Sequence, residues 1–204
     1  MIEARTGPDR MDALTDGVFS IVATLLVLDI KVPHLPEGRS PAELEAALLG
    51  LLPSLVAFAF SFLTVMIYWV NHDRLGRLAA RHDDRTRAFN LVLLFFICLI
   101  PFVTAFIAAA PLELAAVVAY GLVMLACAVV ALLTYRHLAF GSDLLAAVSL
   151  ASRRRYGRQV ASGPVLYAAT IAVAFLSVKA ALGLFLLIPL VYLVAPAMAL
   201  DPAA

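Results

Sequence analysis

Six stretches of apolar residues, separated by short polar and charged connections, account for most of the chain. Crossing roughly 30 Å of hydrocarbon takes about 20 mostly apolar helical residues. The pattern therefore predicts membrane-spanning helices over Met11 to Ile30, Leu48 to Val70, Ala88 to Ala109, Leu112 to Tyr135, Val165 to Val178 and Leu182 to Leu200. The fifth is the shortest, and a re-entrant hairpin of the last two segments around Lys179 is an alternative to two full crossings. In the first connection, Ser40-Pro41-Ala42-Glu43 reads as a capping box with proline at the first helical position, so a short helix is expected to lead into the second span.

The basic residues assign sides to these helices. Arg5 and Arg10 precede the first span, Arg74, Arg77, Arg81, Arg85 and Arg87 fill the second connection, and Arg136, Arg153, Arg154, Arg155 and Arg158 fill the fourth. The opposite side holds Lys31, Arg39 and Lys179. The excess of Lys and Arg marks the cytoplasmic face, which places both termini there, as an even number of crossings also requires. In the fourth connection, Leu144, Leu145, Val148 and Leu150 mix with the Arg153 to Arg155 run. That segment either lies along the anionic inner leaflet or serves as a topology signal.

Composition agrees with an all-α integral membrane protein of the cell membrane. Apolar residues make up 64% of the chain and charged residues 14%, with a mean hydropathy of +0.99, whereas soluble domains are about half apolar and about a quarter charged. The net charge of +1 is spread over short connections, which excludes a nucleic-acid partner. Cys98 and Cys127 sit in apolar runs without metal or redox spacing and read as small hydrophobic residues. The polar start and the absence of a small-residue cleavage site argue against a removable signal peptide, so the first helix is expected to stay in the mature protein. The chain reads as one six-helix domain over 1–204, without a recurring motif.

The first helix carries the unusual chemistry. Arg10, Asp12 and Asp16 lie at its start, Ser20 and Thr24 in its middle, and Asp29 and Lys31 at its end. Ionisable groups at membrane depth face protein or water, which makes Asp16 a candidate functional residue. The other reading is that Arg10, Asp12 and Asp16 are interfacial charges that complement a helix N-terminus. The second span ends where the first begins, so Trp69, Asn71, His72 and Asp73 are expected at the depth of Arg10 and Asp16. There His72 would donate to Asp16 and Trp69 would offer its indole N–H. Gly17, Ile21, Leu25 and Leu28 form a stripe at helical spacing with Ser20 and Thr24 beside it. Such a stripe is either packing or, around a symmetry axis, a set of hydrophobic rings that gate by dewetting.

The run from Arg10 through Leu14-Thr15-Asp16 to Pro33 closely resembles the first helix of the transmembrane protein 175 family, the lysosomal potassium channel and its bacterial homologues. That family's signature is Arg, three residues, then Phe-Ser-Asp; here Arg10 and Asp16 are kept, while Leu14 and Thr15 replace the aromatic and the serine. Tyr68-Trp69-Val70-Asn71-His72 resembles the end of the family's second helix, and Ile100-Pro101-Phe102-Val103-Thr104 resembles a motif in its third. The resemblance covers the first half by motif and the second half by hydropathy. It implies a potassium-selective, leak-type channel made of four six-helix subunits, without a glycine-rich carbonyl filter and with the pore lined by the first helices. No Thr-Val-Gly-Tyr-Gly run is found in this sequence. By the same resemblance Ile21 forms the narrowest ring, followed by Leu25 and Leu28; Ser20 and Thr24 bear on selectivity; and Arg10, Asp16, Trp69 and His72 form an inner polar network. Potassium ions, the bilayer and further copies of the chain are the implied partners, with no cofactor.

Two other function classes compete. A proton- or cation-coupled secondary transporter would use Asp16 and His72 as a relay and Asp29 as an outer cation site, but such proteins show repeats and broken helices, and only Pro101 suggests a break. A membrane enzyme is not expected, since HExxH and GxSxG are absent and no histidines stand at metal-ligand spacing. His34, His82 and His137 read as solvated residues of the connections.

Overall fold

The computed structural model of the chain describes residues 8–33, 38, 40–79, 83–145 and 148–194. Arg5, His34, Arg39, Arg81, His82 and the end of the sixth predicted span at Leu200 lie outside the described residues. Helix α1 spans Pro8–Leu25 and continues as a 3₁₀ turn, Leu26–Asp29. It is followed by α2 (Pro41–Leu49), α3 (Leu52–Leu78), α4 (Asp84–Ala109), α5 (Leu114–Arg136), α6 (Leu150–Ala174) and α7 (Val178–Val194). Among the described residues, four segments are long and apolar enough to cross a membrane: Arg10–Asp29, Pro41–Leu78, Asp84–Ala109 and Leu114–Gly141. α6 and α7 complete a six-helix bundle, with the short α2 standing outside it.

The start of α2 follows its sequence. The Ser40 N–H donates to Glu43 Oε2 at 2.7 Å and the Glu43 N–H donates to Ser40 Oγ at 3.3 Å, so two otherwise unpaired donors are satisfied reciprocally. α4 runs through the centre of the bundle and buries Leu93, Leu94, Ile97, Ile100 and Val103. On one side it meets Phe19, Val22 and Leu26 of α1 and Val65 of α3; on the other it meets Val117, Met124 and Cys127 of α5. Burying Cys127 wholly in this cluster agrees with its reading as a small hydrophobic residue, whereas Cys98 is exposed. Pro101 does not interrupt α4, which continues for two further turns to Ala109. Beside it, Thr104 Oγ1 donates to Ser61 Oγ at 2.8 Å, and Ser61 lies 3.4 Å from the Tyr120 hydroxyl, so a buried polar chain ties α4, α3 and α5 together.

The second half of the chain departs from expectation. The fifth span does not begin at Val165; α6 starts at Leu150 and is 25 residues long, about 37 Å at 1.5 Å per residue. The arginines assigned to the fourth connection, Arg153 to Arg155 and Arg158, lie within α6, and the helix also passes through Pro164. The reversal into α7 falls at residues 175–177, where Ser177 Oγ accepts the Ala180 N–H at 3.3 Å, and Lys179 belongs to the first turn of α7. α6 and α7 pack against each other on either side of this turn.

The fourth connection also folds inward rather than along a leaflet. After α5 the chain makes a π-helical turn, His137–Gly141, and a 3₁₀ turn, Asp143–Leu145. Leu144, Leu145 and Val148 are buried against Tyr135 and Tyr156 in a small core of their own, and only Leu150 is exposed. Arg153 closes the loop by donating from Nε to Val148 O at 2.8 Å and from Nη1 to Ala139 O at 2.9 Å. The Tyr135 hydroxyl donates to Arg153 O. Gly157 permits this contact, because a Cβ there would stand 2.9 Å from Tyr135 Cε1. An arginine read from sequence as part of a topology signal is thus a structural clamp.

His137 is likewise not solvated. Its side chain is 10% exposed and its Nε2 lies 2.7 Å from Asp83 Oδ2, which joins the ends of α4 and α5. Asp83 is the N-cap of α4, with its Oδ1 accepting the Thr86 N–H at 2.8 Å and the Thr86 hydroxyl at 2.7 Å. Partial burial works to raise the Asp83 pKa, but the Thr86 and His137 hydrogen bonds outweigh it and hold the carboxyl well below the usual range. A depressed folded-state pKa contributes stability above the unfolded value of about 4, and that contribution is lost as pH falls below it. Asp83→Ala is therefore expected to cost about 1–2 kcal/mol at neutral pH, to lower Tm, and to remove part of the acid sensitivity below pH about 4. Thermal melts of detergent-solubilised protein from pH 3 to 7 measure both effects; melting curves that stay parallel in acid would exclude the Asp83 carboxylate as the sensor.

Candidate functional site

α1 is buried along one face only. Thr15, Phe19, Val22, Ala23 and Leu26 face α3 and α4, spaced so that they return to the same side every turn. The opposite face carries Leu14, Gly17, Ile21, Thr24, Leu25 and Leu28, all exposed. Ile21 is 59% exposed, Leu25 43% and Leu28 69%, and a Cβ added at Gly17 would meet nothing within 4 Å. The 3₁₀ turn at the end of the helix matters here. With three residues per turn it eclipses side chains at i and i+3, so Leu28 stays in line with Leu25 instead of drifting away from the stripe.

The two hydroxyls sit on the same exposed face. Thr24 Oγ1 donates back to Ile21 O at 2.8 Å and to Ser20 O at 3.1 Å. Its proton is thereby engaged within the helix, and the oxygen faces outward as an acceptor. Ser20 is exposed one turn earlier.

Asp16 and Trp69 meet. Trp69 Nε1 donates to Asp16 Oδ1 at 2.8 Å, which joins α1 to α3 through a charge-assisted hydrogen bond. Asp16 lies in the third turn of the described helix, beyond the first turn in which the dipole favours a carboxylate. The reading of Asp16 as a helix-terminus charge therefore gives way to that of a tertiary partner. His72 is placed one turn further along α3 with its ring tilted against Phe19, centroids 6.4 Å apart. Arg10 is exposed at the start of α1. Of the four residues expected in the inner network, the structure brings Asp16 and Trp69 into direct contact and sets His72 beside the Phe19 face of α1.

Two members of this assembly escaped the sequence reading. Asn90 of α4 donates from Nδ2 to Thr15 Oγ1 at 2.8 Å in a buried contact, and Thr15 Oγ1 donates in turn to Met11 O at 2.8 Å. Asp16 is thus held from α3 while its neighbour Thr15 is held from α4. The available signal was Asn90 itself, an amide in the first turns of an apolar span, where an unpaired polar group is costly. Among the described residues no cluster of His, Cys, Asp or Glu is arranged to hold a metal ion.

A family model described as endosomal/lysosomal potassium channel TMEM175 matches residues 10–101. A potassium channel of Chamaesiphon minutus is 37% identical over 191 residues, covering 90% of this chain and 93% of that protein. A potassium channel of Streptomyces collinus is 36% identical over 193 residues, covering 90% of each. The crystal structure of a lysosomal potassium-selective channel TMEM175 homolog from Chamaesiphon minutus superposes with a TM-score of 0.80 at 33% identity, covering 91% of this chain and 96% of that one.

The Asp16–Trp69 bond is expected to fix α1 on α3. Asp16→Ala should lower Tm and disturb the assembled protein, Asp16→Asn should do so less because an acceptor oxygen remains, and Trp69→Phe should remove the donor while keeping most of the ring. A double-mutant cycle on Asp16→Ala and Trp69→Phe should give a coupling of about 1 kcal/mol, read from thermal melts in detergent. Strict additivity would mean that the contact carries no energy.

Proposed function

The chain belongs to the TMEM175 channel family, and we propose on that footing that it is a passive, potassium-selective channel of the cell membrane, active as a homotetramer with α1 of each subunit around the pore axis. The observation that carries this reading is the division of α1 into a buried face and an exposed face. Along their middles α4 and α5 expose apolar residues such as Leu91, Phe95, Phe102, Leu122 and Val129, whereas α1 turns out Gly17, Ser20, Ile21, Thr24, Leu25 and Leu28 together. Repeating that face around an axis stacks apolar rings at Ile21, Leu25 and Leu28 with hydroxyl oxygens between them. Gly17 lets neighbouring copies approach closely near the inner end.

The mechanism follows from the chemistry of such rings. Isoleucine and leucine offer no group to replace an ion's water shell, so a narrow ring of them empties of water and blocks conduction; widening or wetting the ring opens it. Ile21, nearest the inner end and strongly exposed, is the principal gate in this reading. Ser20 and Thr24 supply acceptor oxygens beside the apolar rings and bear on the choice between potassium and sodium. Asp16, bonded to Trp69, sets the rotation of α1 about its own axis and so determines which residues face the pore. Both termini on the cytoplasmic side, as the arginine distribution favours, put Asp16 and Trp69 at the inner mouth. The transporter alternative loses support from α4, which is continuous through Pro101, the one position in the sequence that suggested a break.

Replacing Ile21 with Asn places a hydrated side chain in the ring. Potassium flux into proteoliposomes is expected to rise about tenfold, equivalent to about 1.4 kcal/mol removed from the barrier, and the preference over sodium to weaken. The measurement uses opposed potassium and sodium gradients, with and without an imposed proton gradient. Rapid flux that follows the potassium gradient alone supports a channel; flux that saturates and reverses with the proton gradient points to a transporter; and an unchanged Ile21→Asn variant removes the stripe from the pore.

A further inference from the structure

Within one subunit, lined by α3, α4, α5, α6 and α7, lies a partly open cavity of about 100 Å³ with no α1 residue in its wall. Its polar lining holds four tyrosines, Asn71 and His72, and beside them a group of acceptors. Thr64 and Thr134 donate their hydroxyl protons to Phe60 O at 2.8 Å and to Val130 O at 2.9 Å, so each meets the cavity as an acceptor. Asn90 is 3% exposed, and its Oδ1 has no hydrogen-bond partner among the described residues; the same holds for Gln159 Oε1.

The orientation of the Asn90 amide is not arbitrary. Thr15 Oγ1 spends its only proton on Met11 O, so towards Asn90 it can only accept, and Asn90 must present Nδ2 to it. Oδ1 is left on the other side of the amide as a buried acceptor without a donor, a costly arrangement in a low-dielectric interior. Among the described residues no Asp, Glu, Lys or Arg lines the cavity, while tyrosine rings and aliphatic side chains form most of its wall. The chemistry calls for an uncharged body with a hydrogen-bond donor.

We propose that this cavity binds a small, uncharged molecule of about five to seven heavy atoms carrying an O–H or N–H group, anchored on Asn90 Oδ1. The volume is several times the ~10–15 Å³ that one water requires, so the site takes a molecule larger than a single solvent molecule. Because the same Asn90 side chain holds Thr15, the residue next to Asp16, occupancy acts on α1. This second part rests on the proposed role of α1 in the pore; the binding itself does not.

The probe is 4-bromopyrazole, which supplies an N–H donor on a flat ring of suitable size and a bromine visible by anomalous scattering. With the full-length protein the expected result is a bromine peak in the cavity, a dissociation constant on the order of 1 mM and a raised Tm. Asn90→Leu should weaken binding at least about tenfold. Since that variant also cuts the Thr15 bond, Ala131→Phe serves as the second variant, filling the cavity from α5 with Asn90 and Thr15 intact, and it should abolish binding. No bromine in the cavity, or undiminished affinity in Ala131→Phe, overturns the site. Binding that leaves wild-type potassium flux unchanged at saturation overturns the link to α1. A preparation with no potassium flux at all counts against the channel reading, and the bromine peak still decides the site.

Discussion

The structure depends on how α1 is held, because that helix has only one face with which to pack. Thr15, Phe19, Val22 and Leu26 are buried against α3 and α4, and two hydrogen bonds from different helices fix the rotation of the helix, one from Trp69 to Asp16 and one from Asn90 to Thr15. Apolar contacts alone would define this rotation poorly, since neighbouring apolar residues can substitute for one another as a helix turns. Lipid is as apolar as leucine, so a helix in a membrane gains little by choosing one apolar face over another. A directional bond does discriminate, and two on adjacent residues leave α1 a single orientation. Everything exposed on the far side, Ile21, Leu25 and Leu28 included, takes its place from that orientation.

The same device recurs through the bundle. Thr104, Ser61 and Tyr120 tie α4, α3 and α5 at mid-depth, and Tyr156 donates to Asn71 Oδ1 at 3.3 Å between α6 and α3. Ser162 and Tyr192 lie 2.7 Å apart and join α6 to α7. Each pair is small and uncharged, so it carries no ionic desolvation cost. The charged contacts lie at the connections, as with Asp83 and His137. The bundle thus places neutral bonds inside and ionic ones at its rim, where water relieves the penalty of burying charge.

What could be read from the sequence follows the reach of each signal. Hydropathy runs extend over twenty residues and placed the first, third and fourth spans to within about a turn, whereas α3 continues two turns past the predicted end at Val70, to Leu78. The Ser40–Glu43 box is local and was legible for that reason. The stripe on α1 was legible as spacing, and the folded subunit leaves it exposed. The fifth span was misjudged because arginines counted against a helix that in fact begins with them. Arg153 turns back onto the carbonyls of Ala139 and Val148, and nothing in a linear reading shows that a cation will cap a loop rather than face water. His137 failed in the same way, since its partner Asp83 lies 54 positions away. Asn90 was within reach, because a lone amide in an apolar run asks for a partner, but finding Thr15 required knowing that α1 and α4 are neighbours.

These long-range bonds also explain why the motif in α1 is spread over both faces of the helix. Asp16 looks towards α3 while Thr15, on the face buried against α4, carries the Asn90 bond; Ile21, the first large apolar residue of the exposed stripe after Gly17, follows a turn and a half later. A substitution at Leu14, which is 47% exposed, touches neither bond. The departure from the family's aromatic there leaves the anchoring of α1 within the subunit unaltered and falls instead on the exposed face. Threonine at position 15 retains the hydroxyl that a serine would supply, and with it the acceptor that Asn90 requires. The two deviations from the signature therefore have different standing. The one at position 15 keeps the contact within the subunit, and the one at position 14 bears on whatever lies against the exposed face of α1.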